Sequence, residues 1–302
     1  MSFKITILGS SSATISKDRG HSSHLVQLEN IHLLIDCGEA TQIQLKKFGF
    51  KASKLSHIYI SHLHGDHYLG LIGLLLSLNL HKRKEPLNLY APPELMDILV
   101  VNFKFSDSKF NFPINFFATN NQSFTCITDE KKFLVYSFPL KHRIHCTGFL
   151  IKEKSKPRKL IAEKVKNLPP NYLKMLKQGL DIIDKNGNVI IKNEDVTYPA
   201  NQPKAYAYCS DTIFYPEICQ YIKGVDLLYH EATFLEEHKD RANETYHCTA
   251  KQAATIAKQA GVKKLVIGHF SPRYKDTNRF IQEASSIFEH TYIANDGDTY
   301  VL

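Results

Sequence analysis

The chain has 302 residues, a formal net charge of +8, 43% hydrophobic residues and 23% charged residues. This balance fits a folded chain with a sizeable core, in one large domain or two ordinary ones, and excludes a disordered polyelectrolyte. Its six cysteines are scattered with no C-x-x-C pair, which argues for a reducing compartment and against a thiolate metal site.

In chain order, Met1 to Leu8 carries no signal-peptide pattern. Lys4 to Leu8 reads as a strand ending at Gly9-Ser10-Ser11-Ser12. His24 to Leu28 and Ile31 to Ile35 read as a hairpin around Glu29-Asn30. A helix follows over Glu39 to Phe48, then a buried strand over Leu55 to Ile60. That strand runs into His62-Leu63-His64-Gly65-Asp66-His67, which holds three imidazoles and a carboxylate in six residues. A strand ending in such a loop can aim all four side chains at one point. His62 and His64 can share one ion while Asp66 and His67 turn toward a second. Imidazole and carboxylate without thiolate suit zinc, and also manganese or iron.

Tyr68 to Leu78 reads as a helix starting beside this loop, Leu87 to Tyr90 as a strand, and Pro92-Pro93 opens a helix to about Asn102. The apolar stretch Leu69 to Leu80 is too short to span a bilayer, which takes ~20 residues. A cytoplasmic protein without membrane contact is expected. Phe112 to Phe117 and Lys132 to Phe138 read as strands, the second leading to His142.

Composition shifts after Ile151. Lys152 to Lys177 holds nine basic and two acidic residues, a net +7 of the chain's +8. This is either an electrostatic footprint for a polyanion or a solvated lysine-rich insertion. The segment 152–203 has prolines, a turn at Lys185-Asn186-Gly187-Asn188 and few positions for a core, so it reads as a protruding basic arm inserted in a single domain, 1–302. Ala205 to Tyr208 resumes the core and leads to Asp211. Val225 to Tyr229 is a further strand, Thr249 to Ala260 a helix capped by Gly261, and Lys264 to Ile267 a strand leading to His269. Strands that each finish in a polar ligand, interleaved with helices, suggest an α/β four-layer sandwich, with the site on the edge where the strands end.

The H-x-H-x-D-H motif is followed by His142, Ser210-Asp211-Thr212, His230-Glu231-Ala232-Thr233-Phe234, His247-Cys248-Thr249-Ala250 and Gly268-His269-Phe270-Ser271. Together they resemble the metallo-β-lactamase fold and, more narrowly, the tRNase Z (ribonuclease Z) family. The resemblance runs from Leu8-Gly9 to Ser271-Pro272-Arg273-Tyr274. It implies the αββα sandwich, two zinc ions per chain, and a homodimeric endoribonuclease that removes the 3′ trailer from precursor tRNA and leaves a 3′-hydroxyl. On that resemblance His62, His64 and His142 hold one zinc, Asp66, His67 and His269 the other, and Asp211 bridges them. Asp36 supports the ligands from behind.

Asp66 is then also the residue that orients or deprotonates the attacking water, His247 the proton donor to the leaving oxygen, and Glu231 its partner. Ser271 and Arg273 are candidates for holding a phosphate oxygen. In the arm, the family's exosite for the tRNA elbow, Lys174 and Lys177 are candidate phosphate contacts. The chain departs from the family at Pro169-Pro170-Asn171-Tyr172, where a Gly-Pro pair is usual, and at Ile15-Ser16-Lys17-Asp18-Arg19-Gly20, where P-x-K-x-R-N is usual. The first bears on how the arm grips tRNA, the second on the cleavage position. A phosphodiesterase or arylsulfatase-like hydrolase of the same fold, acting on small substrates, is the rival reading. It shares the metals but does not need the arm. A glyoxalase-II-type thioesterase lacks its C-terminal region here, and a non-enzymatic RNA-binding relic would be expected to have lost ligands.

Overall fold

The computed structural model describes residues 3–14 and 17–302; Ile15 and Ser16 of the expected N-terminal motif lie outside them. Two compact units are present. The larger comprises Met1–Asp129, Leu134–Ile151 and Ala205–Leu302, the smaller Glu130–Phe133 and Lys152–Lys204.

The larger unit is built on two seven-stranded sheets. The first runs in the order Thr299–Val301, Phe3–Gly9, Ser23–Leu28, Ile31–Ile35, Leu55–Tyr59, Leu87–Ala91, Ile114–Ala118. Its early pairings are antiparallel, and from Ile31–Ile35 onward they are parallel. The second runs Thr291–Ile293, Leu265–Gly268, Leu227–Glu231, Ala205–Cys209, Thr147–Glu153, Phe133–Pro139, Thr125–Asp129, with its first four strands parallel.

Strand alternation explains the layers. Leu25, Leu34 and Ile58 face outward and bury against Leu45, Leu71, Leu74 and Leu95 of the helices Thr41–Lys47, Gly65–Leu80 and Leu95–Phe105. Ala207, Leu228 and Ile267 do the same against Ala253, Ala257 and Phe280 of Ala250–Ala260 and Asn278–Ser285. The inner faces meet through aromatic side chains with polar tips: His24 Nδ1 lies 2.7 Å from Tyr206 Oη, and Tyr59 Oη lies 3.0 Å from Thr128 Oγ1. This is the expected four-layer αββα sandwich. No helix among the described residues is long and apolar enough to cross a membrane.

Several elements differ from the sequence expectation. The helix assigned to Tyr68–Leu78 starts at Gly65, inside the histidine motif, with His64 at its N-cap. The strands Thr125–Asp129, Thr147–Glu153, Thr291–Ile293 and Thr299–Val301 and the helix Asn278–Ser285 were not expected. The insertion also has more core than its composition suggests. In the smaller unit Val165, Leu176, Ile182 and Val196 bury against one another, joined by Leu160, Leu168, Tyr172 and Ile191. Buried Asn193 ties this cluster together, its Nδ2 donating to Leu176 O at 2.7 Å and Leu180 O at 3.1 Å. The ends of the insertion meet, Glu153 N donating to Lys204 O at 2.9 Å.

Candidate metal centre and cleft

Parallel pairing brings the polar residues to one edge. Ala205–Cys209, Leu227–Glu231 and Leu265–Gly268 run side by side in one direction, so Glu231 at the end of its strand and Asp211 and His269 just past theirs emerge together. In the other sheet Ile31–Ile35 and Leu55–Tyr59 run parallel, which sets Asp36 beside Ser61 and the histidine motif. The helix that carries Asp66 and His67 in its first turn docks closely on the turn at Asp36. Cys37 N donates to His67 O at 2.7 Å and Gly70 N to Cys37 O at 2.9 Å. A Cβ on Gly70 would come 2.1 Å from Gly38 O, so this approach needs glycine.

Three overlapping groups of candidate ligating atoms result among the described residues: His62, His64, His142 and Asp211; Asp66, His67 and His269; and Asp211, His247 and His269. His64 Nδ1 lies 3.1 Å from both His62 Nε2 and His142 Nε2. His269 Nε2 lies 3.4 Å from His67 Nε2 and 3.3 Å from Asp66 Oδ2. Asp211 stands between the groups, Oδ2 3.4 Å from His62 Nε2 and Oδ1 3.3 Å from His269 Nε2.

These residues fit divalent cations. Asp211 Oδ1 is buried with no hydrogen-bond partner, and the converging imidazole nitrogens can turn their lone pairs to a shared cation. Burial, then the neighbouring imidazoles, hold the pKa values of His62, His64 and His142 at about 4, so their lone pairs are free at neutral pH. His67 is different: burial lowers its pKa, but Asp66, Asp211 and Asp36 outweigh burial and raise it.

The far sides of several of these imidazoles are also fixed, as is usual for ligand histidines. His67 Nδ1 donates to Asp36 Oδ2 at 2.7 Å, and Asp36 also accepts from Ser61 N, Ser61 Oγ and Tyr208 Oη. His142 Nδ1 donates to Tyr246 O at 2.9 Å, and His62 Nδ1 lies 3.0 Å from Ser61 Oγ. Asp36 and His269 both adopt positive φ, 55° and 61°, a conformation Asp and His tolerate better than most side chains.

Beside the metal groups lies an acid–base pair. Glu231 is fully buried. Its Oε1 accepts from His247 Nδ1 at 2.9 Å, Cys248 N at 2.9 Å and Thr212 N at 3.2 Å. Its Oε2 accepts from Thr233 N at 2.9 Å and Thr233 Oγ1 at 2.7 Å. Burial opposes ionisation of both partners, but Glu231 outweighs it at His247, whose pKa rises to about 9 with further help from Asp211. His247 is held just ahead of the helix Ala250–Ala260, whose Thr249–Gln252 capping box fixes the chain direction there.

A cleft of about 360 Å³ opens over these groups, lined by His64, Asp66, Asp211, His247, His269 and three arginines, Arg143, Arg241 and Arg273. Of the residues expected to hold phosphate, Arg273 is there, its guanidinium 5.1 Å from the Phe234 ring centre. Ser271 is not among the lining residues; its N–H donates to Thr233 O at 3.1 Å. Lys174 and Lys177 are exposed on the helix Pro170–Lys177 of the smaller unit. Sequence reasoning missed Arg143 and Arg241, although Arg143 directly follows the candidate ligand His142.

Among known proteins, a family model described as "Anti-Pycsar protein Apyc1" matches residues 3–104. That stretch holds the histidine motif but not His142, Asp211, Glu231, His247 or His269. Ribonuclease Z of Cytophaga hutchinsonii is 49% identical over 100% of this chain and 97% of its own length. Ribonuclease Z of Bacteroides fragilis is 42% identical over 97% of each. The crystal structure of the short form of human tRNase Z superposes with a TM-score of 0.72 at 26% identity, covering 98% of both chains. The metallo-β-lactamase fold protein YhfI of Bacillus subtilis superposes with a TM-score of 0.71 at 18% identity over the full length of both, a likeness of fold. Similarity of that extent, over the whole chain and not the metal motif alone, makes this protein a member of the ribonuclease Z (tRNase Z) family.

Proposed function

We propose that the chain is a zinc-dependent endoribonuclease that cuts the 3′ trailer from precursor tRNA and leaves a 3′-hydroxyl on the tRNA. The observation that carries this reading is the buried Glu231–His247 pair beside a seven-residue cluster of nitrogen and oxygen ligands, in a chain 49% identical to a ribonuclease Z. The donor set, histidine and aspartate without thiolate, supports zinc. In our assignment His62, His64 and His142 would hold one ion and Asp66, His67 and His269 the second, with Asp211, whose carboxylate faces both groups, shared between them.

Two bound divalent ions supply Lewis acidity toward a phosphodiester and lower the pKa of water to near 7. The chain's own groups do the rest. Asp66, at the cleft, orients the attacking water and accepts its proton. Arg273 holds a phosphate oxygen with its planar fork, and Arg143 and Arg241 add positive potential along the same cleft. His247 uses Nδ1 to bond Glu231, so Nε2 is the nitrogen left to give a proton to the departing ribose 3′-oxygen. Glu231 keeps that imidazole charged at neutral pH and fixes its orientation.

The inserted unit, with its net +7 between Lys152 and Lys177, serves in this reading as an exosite for tRNA phosphates, through Lys174 and Lys177 among others. A-form helices are recognised by shape and backbone rather than by sequence. A homodimer is the expected assembly. Met96, Val100, Val101 and Phe105, exposed apolar side chains of the helix Leu95–Phe105, support a protein–protein contact there.

The test is incubation with a precursor tRNA labelled at its 5′ end, with the product end mapped. One cut near the discriminator base, ending in a 3′-hydroxyl, is expected. Turnover of small phosphodiesters without a defined cut in precursor tRNA would point to the small-substrate hydrolase instead.

A further inference from the structure

Thr233 stands at a junction that neither the ligand set nor the acid–base pair accounts for. Its side chain is buried, 4% exposed. Its Oγ1 lies 2.7 Å from Glu231 Oε2, 2.9 Å from His269 Nδ1 and 3.2 Å from His247 Nδ1. The directions of these bonds follow from the atoms. An ionised carboxylate only accepts, so the one hydroxyl proton of Thr233 goes to Glu231 Oε2. Thr233 Oγ1 is then left as an acceptor toward His269, and His269 must carry its proton on Nδ1. That frees the lone pair of His269 Nε2, the nitrogen that faces Asp66 Oδ2 and Asp211 Oδ1 at 3.3 Å each. His247 Nδ1 makes its shorter bond to Glu231 Oε1, at 2.9 Å.

We propose that Thr233 is a positioning residue whose single hydroxyl sets the tautomer of the ligand His269 and, through the same proton, pins the Glu231 carboxylate that orients His247. One side chain thereby ties the second ion's ligand group to the proton-delivering pair. The inference rests on the ligand assignment proposed above. It goes beyond that assignment by making ion affinity and proton delivery depend on one hydroxyl that is not itself among the candidate ligating atoms. Partners of this kind typically change metal affinity by 10–100-fold when removed.

The experiment compares wild type, Thr233→Val and Thr233→Ser. Valine keeps the β-branched shape and loses the hydroxyl; serine keeps the hydroxyl and loses the methyl. Metal-free protein is titrated with cobalt(II), whose visible bands count the ions and report the affinity of each. The expected result is that Thr233→Val binds one of its two ions at least ~10-fold more weakly, with kcat on precursor tRNA reduced, while Thr233→Ser stays close to wild type in ion affinity. Wild-type affinity for both ions in Thr233→Val, or a Thr233→Ser variant weaker than Thr233→Val, would mean that the residue acts by packing and would overturn the proposal.

A second measurement does not depend on the Thr233 variants folding. Long-range proton–nitrogen NMR of the metal-free wild type, with His269 identified by its loss in His269→Gln, should show the Nδ1–H tautomer. An Nε2–H tautomer refutes the inference. A wild type that binds fewer than two ions would instead refute the ligand assignment, and the tautomer result separates the two failures.

Discussion

Glu231 Oε1 accepts a hydrogen bond from His247 Nδ1 at 2.9 Å, and the same oxygen also takes two backbone N–H groups, from Cys248 and Thr212. A buried carboxylate with this many donors has no freedom to turn away, so the imidazole is held in one orientation at the cleft.

That orientation makes a leaving-group test decisive for His247. His247→Ala should keep its full metal content and lose turnover on precursor tRNA by ~10²–10⁴-fold, the usual contribution of a general acid. On a p-nitrophenyl phosphodiester, whose leaving group needs little protonation, the loss should be much smaller. Equal losses on the two substrates would argue against His247 as the proton donor.

A second expectation concerns pH. The pKa of His247 is raised from 6.5 to about 9, burial opposing and Glu231 then Asp211 prevailing. The proton is therefore kept through neutrality and lost as pH climbs. Bound cations would offset the share due to Asp211, so kcat should fall along a basic limb at or somewhat below pH 9. The stability from the pair has the same sign: present in full below about pH 6.5 and lost as pH rises through the folded-state value. In Glu231→Gln the limb should move toward acid. A limb that stays in place assigns the titration to another group.

Asp211 lies between both ligand groups, so its loss should be felt by both ions. Metal analysis of purified Asp211→Ala is expected to give less than the wild-type complement, with activity nearly abolished. Full metal content with normal turnover in this variant would rule out the bridging assignment.

The insertion should be separable. Its ends meet at Glu153 N and Lys204 O, 2.9 Å apart, and its buried cluster draws on its own residues. Replacing about Lys154 to about Asn201 with a short linker should leave metal binding and small-phosphodiester hydrolysis intact while precursor tRNA binding fails. Neutralising several of its lysines should flatten the salt dependence of tRNA affinity by roughly 0.7–0.9 in log–log slope per lost phosphate contact. Binding and cutting of precursor tRNA at wild-type levels by the deletion variant would leave the insertion as a solvated appendage.

What could be read in the chain depended on how local the signal was. The His62–His67 motif was legible because its donors are crowded into six residues. Its start as a helix was not, because the N-terminal limit at Gly65 is set by docking on the Asp36–Gly38 turn and not by propensity. His142, Asp211 and His269 were readable as residues just past apolar strands. Arg143 and Arg241 were not, since nothing in their spacing links them to Arg273 before the fold brings all three to one cleft. Thr233 was visible within His230-Glu231-Ala232-Thr233-Phe234, but its contact with His269 crosses 36 residues. The core of the insertion escaped because Val165, Leu176, Ile182 and Val196 sit on short separate elements and make no periodic pattern.

The proposed ligands are divided between the two sheets, four after Leu55–Tyr59 and three after Phe133–Pro139, Ala205–Cys209 and Leu265–Gly268. During synthesis the histidine motif emerges early, but His269 leaves the ribosome only after most of the chain has been made. In the proposed assignment neither sheet holds a complete ion site by itself, so the second site closes only when the strand Leu265–Gly268, late in the chain, has joined its sheet.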